Sequence, residues 1–196
     1  ERDRLHGNDG PRRHVGLDPT QPIILLMGGG GGFGRLREMI LSLDRLPQPC
    51  QFVVLAGTNR ALLSWCQAQR FRHRVLALGY TEEIPRLMDA ATLLVSKPGG
   101  LTTSEALAKR LPLVIVNPIP GQEAYNARFL LSQGAAVQAS SPETIRQTVR
   151  DLLENPDQLD MIRRRAGELG HPNASLDIAR LLFELADRCP ADPNRP

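Results

Sequence analysis

Ser96–Ala106 reads SKPGGLTTSEA and lies between the apolar run Ala91–Val95 and an amphipathic helix that continues through Leu107 and Ala108 to Arg110. Gly99 and Gly100 remove side chains where the chain turns from strand to helix and where a ligand could touch backbone. Thr102, Thr103 and Ser104 open the helix, and Glu105 follows one turn in. The free N–H groups and partial positive charge of a helix start suit a phosphate. A carboxylate one turn later can accept hydrogen bonds from sugar hydroxyls. Strand, glycine turn and anion-binding helix start together describe a pocket for a nucleoside diphosphate.

The same strand–loop–helix pattern extends in both directions. Strands are expected at Pro22–Met27, Phe52–Ala56, Arg74–Leu78, Thr92–Val95, Leu113–Val116 and Ala135–Gln138. The helices expected between them are Leu36–Leu46, Arg60–Gln69, Thr81–Ala90, Thr102–Arg110 and Gln122–Gln133, with three more at Pro142–Glu154, Pro156–Leu169 and Asn173–Asp187. Several strands lack a polar face, which implies burial on both sides. The expected fold class is therefore α/β, a doubly wound six-stranded parallel sheet with helices on both faces. Ligands of such folds collect at the carboxyl ends of the strands. The glycine run, Gly79-Tyr80, the Pro98-Gly99-Gly100 turn and Pro118–Gln122 all fall there, so four loops are expected to converge on one crevice.

Composition narrows the function classes. A net charge of +3 with dispersed arginines, and aromatics at 4%, leave no nucleic-acid footprint and few stacking platforms. Cys50, Cys66 and Cys189 form no CxxC pattern, which argues against a zinc site or a disulfide framework and for a reducing compartment. No apolar stretch approaches the roughly 20 residues that span a bilayer, and no signal peptide is visible. Residues 1–21 are polar, aperiodic and lack an initial Met, so they read as a linker and the chain as a fragment of a longer one. Residues 22–188 are expected to form the ligand-binding domain, and 189–196 a mobile tail.

Gly28–Gly32 is a run of five glycines, and Gly29-x-Gly31-x-x-Gly34 formally matches a dinucleotide fingerprint. That fingerprint also needs an acidic residue ending the second strand, whereas this one ends Leu55-Ala56-Gly57-Thr58. A nicotinamide oxidoreductase is thus disfavoured, and without a following GK[ST] a P-loop is excluded. The remaining readings are a bare tight turn or a backbone brought close to a ligand.

LLMGGGGGFG (25–34), VVLAGTN (53–59) and LGYTEEIPRLMDAATLLVSKPGGLTTSEALAKRLPLVIVNPIPGQEAYNA (78–127) resemble the C-terminal domain of the monogalactosyl- and processive glucosyl-diacylglycerol synthases. The lipid I N-acetylglucosaminyltransferase is a more distant relative. The resemblance runs from about Ile23 to Asp187. It implies a Rossmann-like half of a GT-B fold, whose partner domain would carry the acceptor site and the catalytic base. It also implies inverting transfer of a hexose from a UDP-sugar, with no cofactor and no metal in the donor site. The acceptor would be a membrane lipid such as diacylglycerol, held through the other domain. The full-length protein would sit peripherally on the cytoplasmic face of the membrane.

Carried onto this sequence, the family pattern assigns Tyr80 and Thr81 to the uracil. Gly29, Gly30, Gly100, Leu101 and Thr102 fall to the diphosphate, Glu105 to the ribose, and Gln122 and Glu123 to the donor sugar. Many relatives carry Glu where this chain has Gly31. Three assignments have structural competitors: Thr102-x-x-Glu105 is also a capping box by sequence, Tyr80 could be a buried residue at a strand end, and Gln122 and Glu123 could be helix-start residues in solvent. Lys97 could approach the diphosphate or a lipid phosphate or be exposed, and Asn126 could cap or fix the loop rather than touch ligand. Arg35 and Arg37 could neutralise phosphate or form a solvated helix face. His6, His14, His73 and His171 have no suggestive neighbours, and no catalytic residue is expected on this chain. The alternative to a glycolipid synthase is the soluble donor-binding subunit of a split UDP-N-acetylglucosamine:lipid transferase.

Overall fold

The computed structural model describes residues 16–28 and 35–188. The strands are β1 (Ile23–Met27), β2 (Gln51–Gly57), β3 (Arg74–Gly79), β4 (Leu93–Ser96), β5 (Leu113–Val116) and β6 (Ala136–Ala139). Between and after them run α1 (Leu36–Leu43), α2 (Arg60–Ala68), α3 (Ile84–Ala90), α4 (Gly100–Ala108), α5 (Gln122–Ser132), α6 (Pro142–Glu154), α7 (Pro156–Leu169) and α8 (Ala174–Arg188). All strand pairs are parallel, and the sheet order is β3-β2-β1-β4-β5-β6. This is the doubly wound Rossmann-like order, in which β1 and β4 flank the point where the chain reverses its direction of winding.

Period-two alternation sends successive strand residues into two separate cores. Ile24, Leu26, Phe52, Val54, Leu93, Val95, Val114 and Val116 face one side, where they meet Met39 and Ile40 of α1, Leu62 of α2, Val149 of α6 and Ile162 of α7. Ile23, Leu25, Met27, Val53, Leu55, Leu94 and Ile115 face the other, against Leu87 of α3, Ala106 of α4 and Leu130 of α5. β1 is buried at every position, which is why it reads as an unbroken apolar run. A fully buried Leu or Ile of this kind stabilises the fold by about 1.5–3 kcal/mol.

Three local departures from the sequence-based expectation have physical causes. Thr81 Oγ1 accepts the Glu83 N–H at 3.1 Å, a local turn that delays α3 to Ile84, with Pro85 in its first turn. Asp44 ends α1 early: its carboxylate accepts the N–H groups of Arg72 and His73. Within the stretch read as a linker, Leu17 is buried, and Gln51 clasps Asp18 through both its side-chain oxygen and its amide. Residues 16–21 are therefore docked beneath the amino ends of β1 and β2. Residues 1–15, the tail 189–196 and Gly29–Gly34 lie outside the described residues.

α8 packs on neither core. Leu176, Ile178, Leu181, Leu182, Phe183 and Leu185 are all exposed along it. Among the described residues no helix is long and apolar enough to cross a membrane.

Candidate functional site

At the switch point Met27 is in register with Ser96, and the Ser96 hydroxyl donates to the Met27 carbonyl at 3.0 Å. This buried bond ties the carboxyl ends of β1 and β4 together and fixes the floor of the crevice. β4 then runs through half-buried Lys97 and buried Pro98 into α4.

α4 starts at Gly100, two residues earlier than expected, with Gly99 as its N-cap in extended backbone (φ −66°, ψ 146°) and no side-chain cap. Thr103 N–H is the first amide of the helix to bond back, to Gly99 O at 2.9 Å. The N–H groups of Gly100, Leu101 and Thr102 are the orphan donors of a helix start. Thr102 lies inside the first turn rather than at the cap, so the capping box with Glu105 does not form. Glu105 is exposed one turn beyond Thr102 on the same face. Neither side chain has a hydrogen-bond partner among the described residues.

α5 approaches from the next crossover. Its N-cap is Gly121 (φ 101°, ψ −128°), a conformation that favours glycine, and it too lacks a side-chain cap. Gln122, the first helical residue, reaches α4: its Nε2 lies 3.7 Å from where a Cβ on Gly100 would stand. Glu123 turns back, and its Oε2 accepts the Ile119 N–H at 2.8 Å, stiffening the 117–121 loop. Asn126 Nδ2 donates to Pro98 O at 2.9 Å. Gly100 and Gln122 are thus brought together, while Glu123 has one oxygen engaged in its own loop.

On the far side of β1, Tyr80 is 77% exposed, which excludes the buried strand-end reading. Half-buried Thr81 follows it. α3, like α1, α4 and α5, begins without a side-chain cap. α2, α6 and α7 are capped by Asn59, Ser141 and Asn155. Within α1–α7, the four helices without a side-chain cap are the ones that follow the loops expected to converge.

Other candidates resolve into structural roles. Arg35 pairs with Glu38 at 2.6 Å. Arg37 donates to Ala61 O and lies 5.3 Å from the centre of the Trp65 ring. These arginines border an open cavity of about 350 Å³ that Asn59 and Leu62 also line; none of the assigned nucleotide residues among those described contributes to it. His73 bonds Leu46 O through Nε2 and faces Cys50 through Nδ1, at the opposite end of the sheet from the crevice. No cluster of metal-ligating side chains occurs among the described residues. Sequence reasoning missed the Ser96–Met27 tie, because it joins strands far apart in the chain and leaves no local pattern.

The family model of the glycosyltransferase family 28 C-terminal domain matches residues 23–177. The chain belongs to this family. Among curated relatives, the probable chloroplastic monogalactosyldiacylglycerol synthase 3 of Oryza sativa subsp. japonica is 33% identical over 186 residues, covering 91% of this chain and 37% of the relative. The processive diacylglycerol beta-glucosyltransferase of Staphylococcus carnosus is 33% identical over 175 residues, covering 87% and 44%. The family 28 domain described here therefore spans less than half the length of these relatives. Among solved structures, MurG of Acinetobacter baumannii superposes with a TM-score of 0.71 at 22% identity, covering 92% of this chain and 55% of that one. Os79 of O. sativa, solved in complex with UDP, gives 0.57 at 20% identity, covering 76% and 36%. The family 28 domain thus has the Rossmann-like fold of one GT-B half.

Proposed function

We propose that this domain binds the UDP-sugar donor of an inverting glycosyltransferase that transfers a hexose to a membrane lipid such as diacylglycerol. The observation that carries the reading is the pairing of the uncapped α4 start with the Gln122 amide over Gly100, at the switch point of a family 28 domain. The names of its curated relatives, which act on diacylglycerol, support the lipid acceptor.

In this reading the uracil lies at Tyr80 and Thr81, and Glu105 holds the ribose hydroxyls. The diphosphate faces the N–H groups of Gly100, Leu101 and Thr102; Gly29 and Gly30, which the family pattern also assigns to it, lie outside the described residues. Breaking the sugar–phosphate bond builds negative charge on the leaving UDP, and preorganised donors aimed at that charge stabilise it by a few kcal/mol each. Gln122, and the Glu123 oxygen not engaged with Ile119, orient the sugar so that its anomeric carbon meets the acceptor. The donor site works without a metal ion or cofactor. The base that deprotonates the acceptor comes from outside this domain, and the whole enzyme works at the cytoplasmic membrane face.

Calorimetric titration of the chain with UDP tests this. UDP binding is expected, and Glu105→Ala should weaken it about 10- to 100-fold through lost charged hydrogen bonds. Absence of UDP binding by the unaltered chain overturns the donor-site reading. Unchanged affinity in Glu105→Ala removes the ribose role alone.

A further inference from the structure

The two glycines of the Pro98-Gly99-Gly100 turn have few neighbours. Among the described residues, no atom stands within 4 Å of where a Cβ on Gly99 would sit, and Gly100 is met only by Gln122 Nε2. Two consecutive glycines make a soft backbone, yet this turn sets the direction of the α4 N–H groups. Among the described residues, one side-chain hydrogen bond reaches residues 97–101, the 2.9 Å bond from Asn126 Nδ2 to Pro98 O. It crosses 28 residues of sequence and is partly buried. Asn126 lies one helical turn after Gln122 on the same face of α5. One face of α5 therefore presents an amide over Gly100 and grips the carbonyl that precedes the turn.

We propose that Asn126 is a positioning residue for the diphosphate end of the site, acting through Pro98 rather than by touching ligand. It holds the glycine turn so that the α4 donors converge before ligand arrives, which spares the site the cost of ordering soft backbone on binding. The proposal rests on the donor-site reading for its ligand, but the tie itself is a property of the free protein.

The test combines amide hydrogen exchange on the free chain with titration of UDP and UDP-glucose, using Asn126→Ala and Asn126→Asp. In the second variant a carboxylate oxygen would face the Pro98 carbonyl. Both variants should speed exchange of the Thr103 amide, the first in α4 to bond back (to Gly99 O), and of the two amides after it, relative to the unaltered chain. Both should weaken UDP and UDP-glucose by the same factor, about five- to tenfold. Unchanged exchange in both variants overturns the proposal whether or not UDP binds. A loss confined to UDP-glucose overturns it by making Asn126 a sugar contact, and unchanged UDP affinity overturns it by showing the turn needs no clamp. If the unaltered chain fails to bind UDP, the donor-site reading falls separately, and the exchange data alone decide whether Asn126 fixes the turn.

Discussion

Gly170 faces the Leu107 carbonyl so closely that a Cβ added to it would stand 2.7 Å from the carbonyl carbon and closer still to the oxygen. Its backbone (φ −75°, ψ 138°) is open to any residue, so contact alone demands glycine there. The end of α7 thereby seats the last turn of α4, the helix whose other end carries the orphan donors.

Gly170→Ala should cost about 1–3 kcal/mol, as overpacking against main chain does. Gly167→Ala makes the contrast. The nearest atoms a Cβ there meets belong to the Arg110 side chain, at 3.0 Å, and Arg110 is exposed and can swing away. Alanine also gains up to about 1 kcal/mol in helix propensity, so that variant should be neutral or slightly more stable. Urea midpoints of the two variants check the order.

Much of this fold is legible in the residues. Ile23–Met27 and Leu113–Val116 announce themselves because a strand buried on both faces has no polar position to interrupt it. The start of α4 is harder to read. Glycine's low helix propensity argues for a beginning at Thr102, but the first turn tolerates glycine when the preceding carbonyls accept the later amides, as Gly99 O does for Thr103. Leu17 shows another limit, since a single apolar residue among Gly, Asp and Pro carries no period, although it is buried. The Asn126–Pro98 and Ser96–Met27 bonds depend on the order of strands in the sheet, which no local spacing encodes. Motif resemblance, not local pattern, assigns Tyr80, Glu105 and Gln122, and all three are exposed.

Glu123 should separate the sugar from the nucleotide. Its carboxylate holds Ile119 N–H in a loop that also contains Asn117 at φ 43° and Gly121 at φ 101°. Glu123→Ala leaves that amide to solvent and should cost about 0.5–1.5 kcal/mol of stability. It should weaken UDP-glucose more than UDP, because the loop presents Gln122. Glu123→Gln keeps an acceptor and should restore most of the stability. Paired titrations and thermal melts read both effects.

Cys50 gives the domain an alkaline limit. Burial, reinforced by the Asp44 carboxylate, pushes its thiol up from 9.0 to about 12. The unfolded chain releases this proton near pH 9, while the folded chain keeps it until about pH 12. The thiol's contribution is therefore complete below pH 9 and lost progressively as pH rises toward 12. Between pH 8 and pH 10.5 the urea midpoint should fall further for the unaltered chain than for Cys50→Ala. At pH 8 the folded protein should also leave Cys50 unmodified by iodoacetamide, since the thiolate is the reactive form.

The donors at the head of α4 belong to the peptide chain itself. Only a change to proline deletes one of them, so this set of donors is insulated from most single substitutions. Divergence within such a domain must then work at the margins, through the side chains that aim those amides and those that frame the sugar. Under the proposed donor role, the grip on the phosphates can stay constant while the cargo changes.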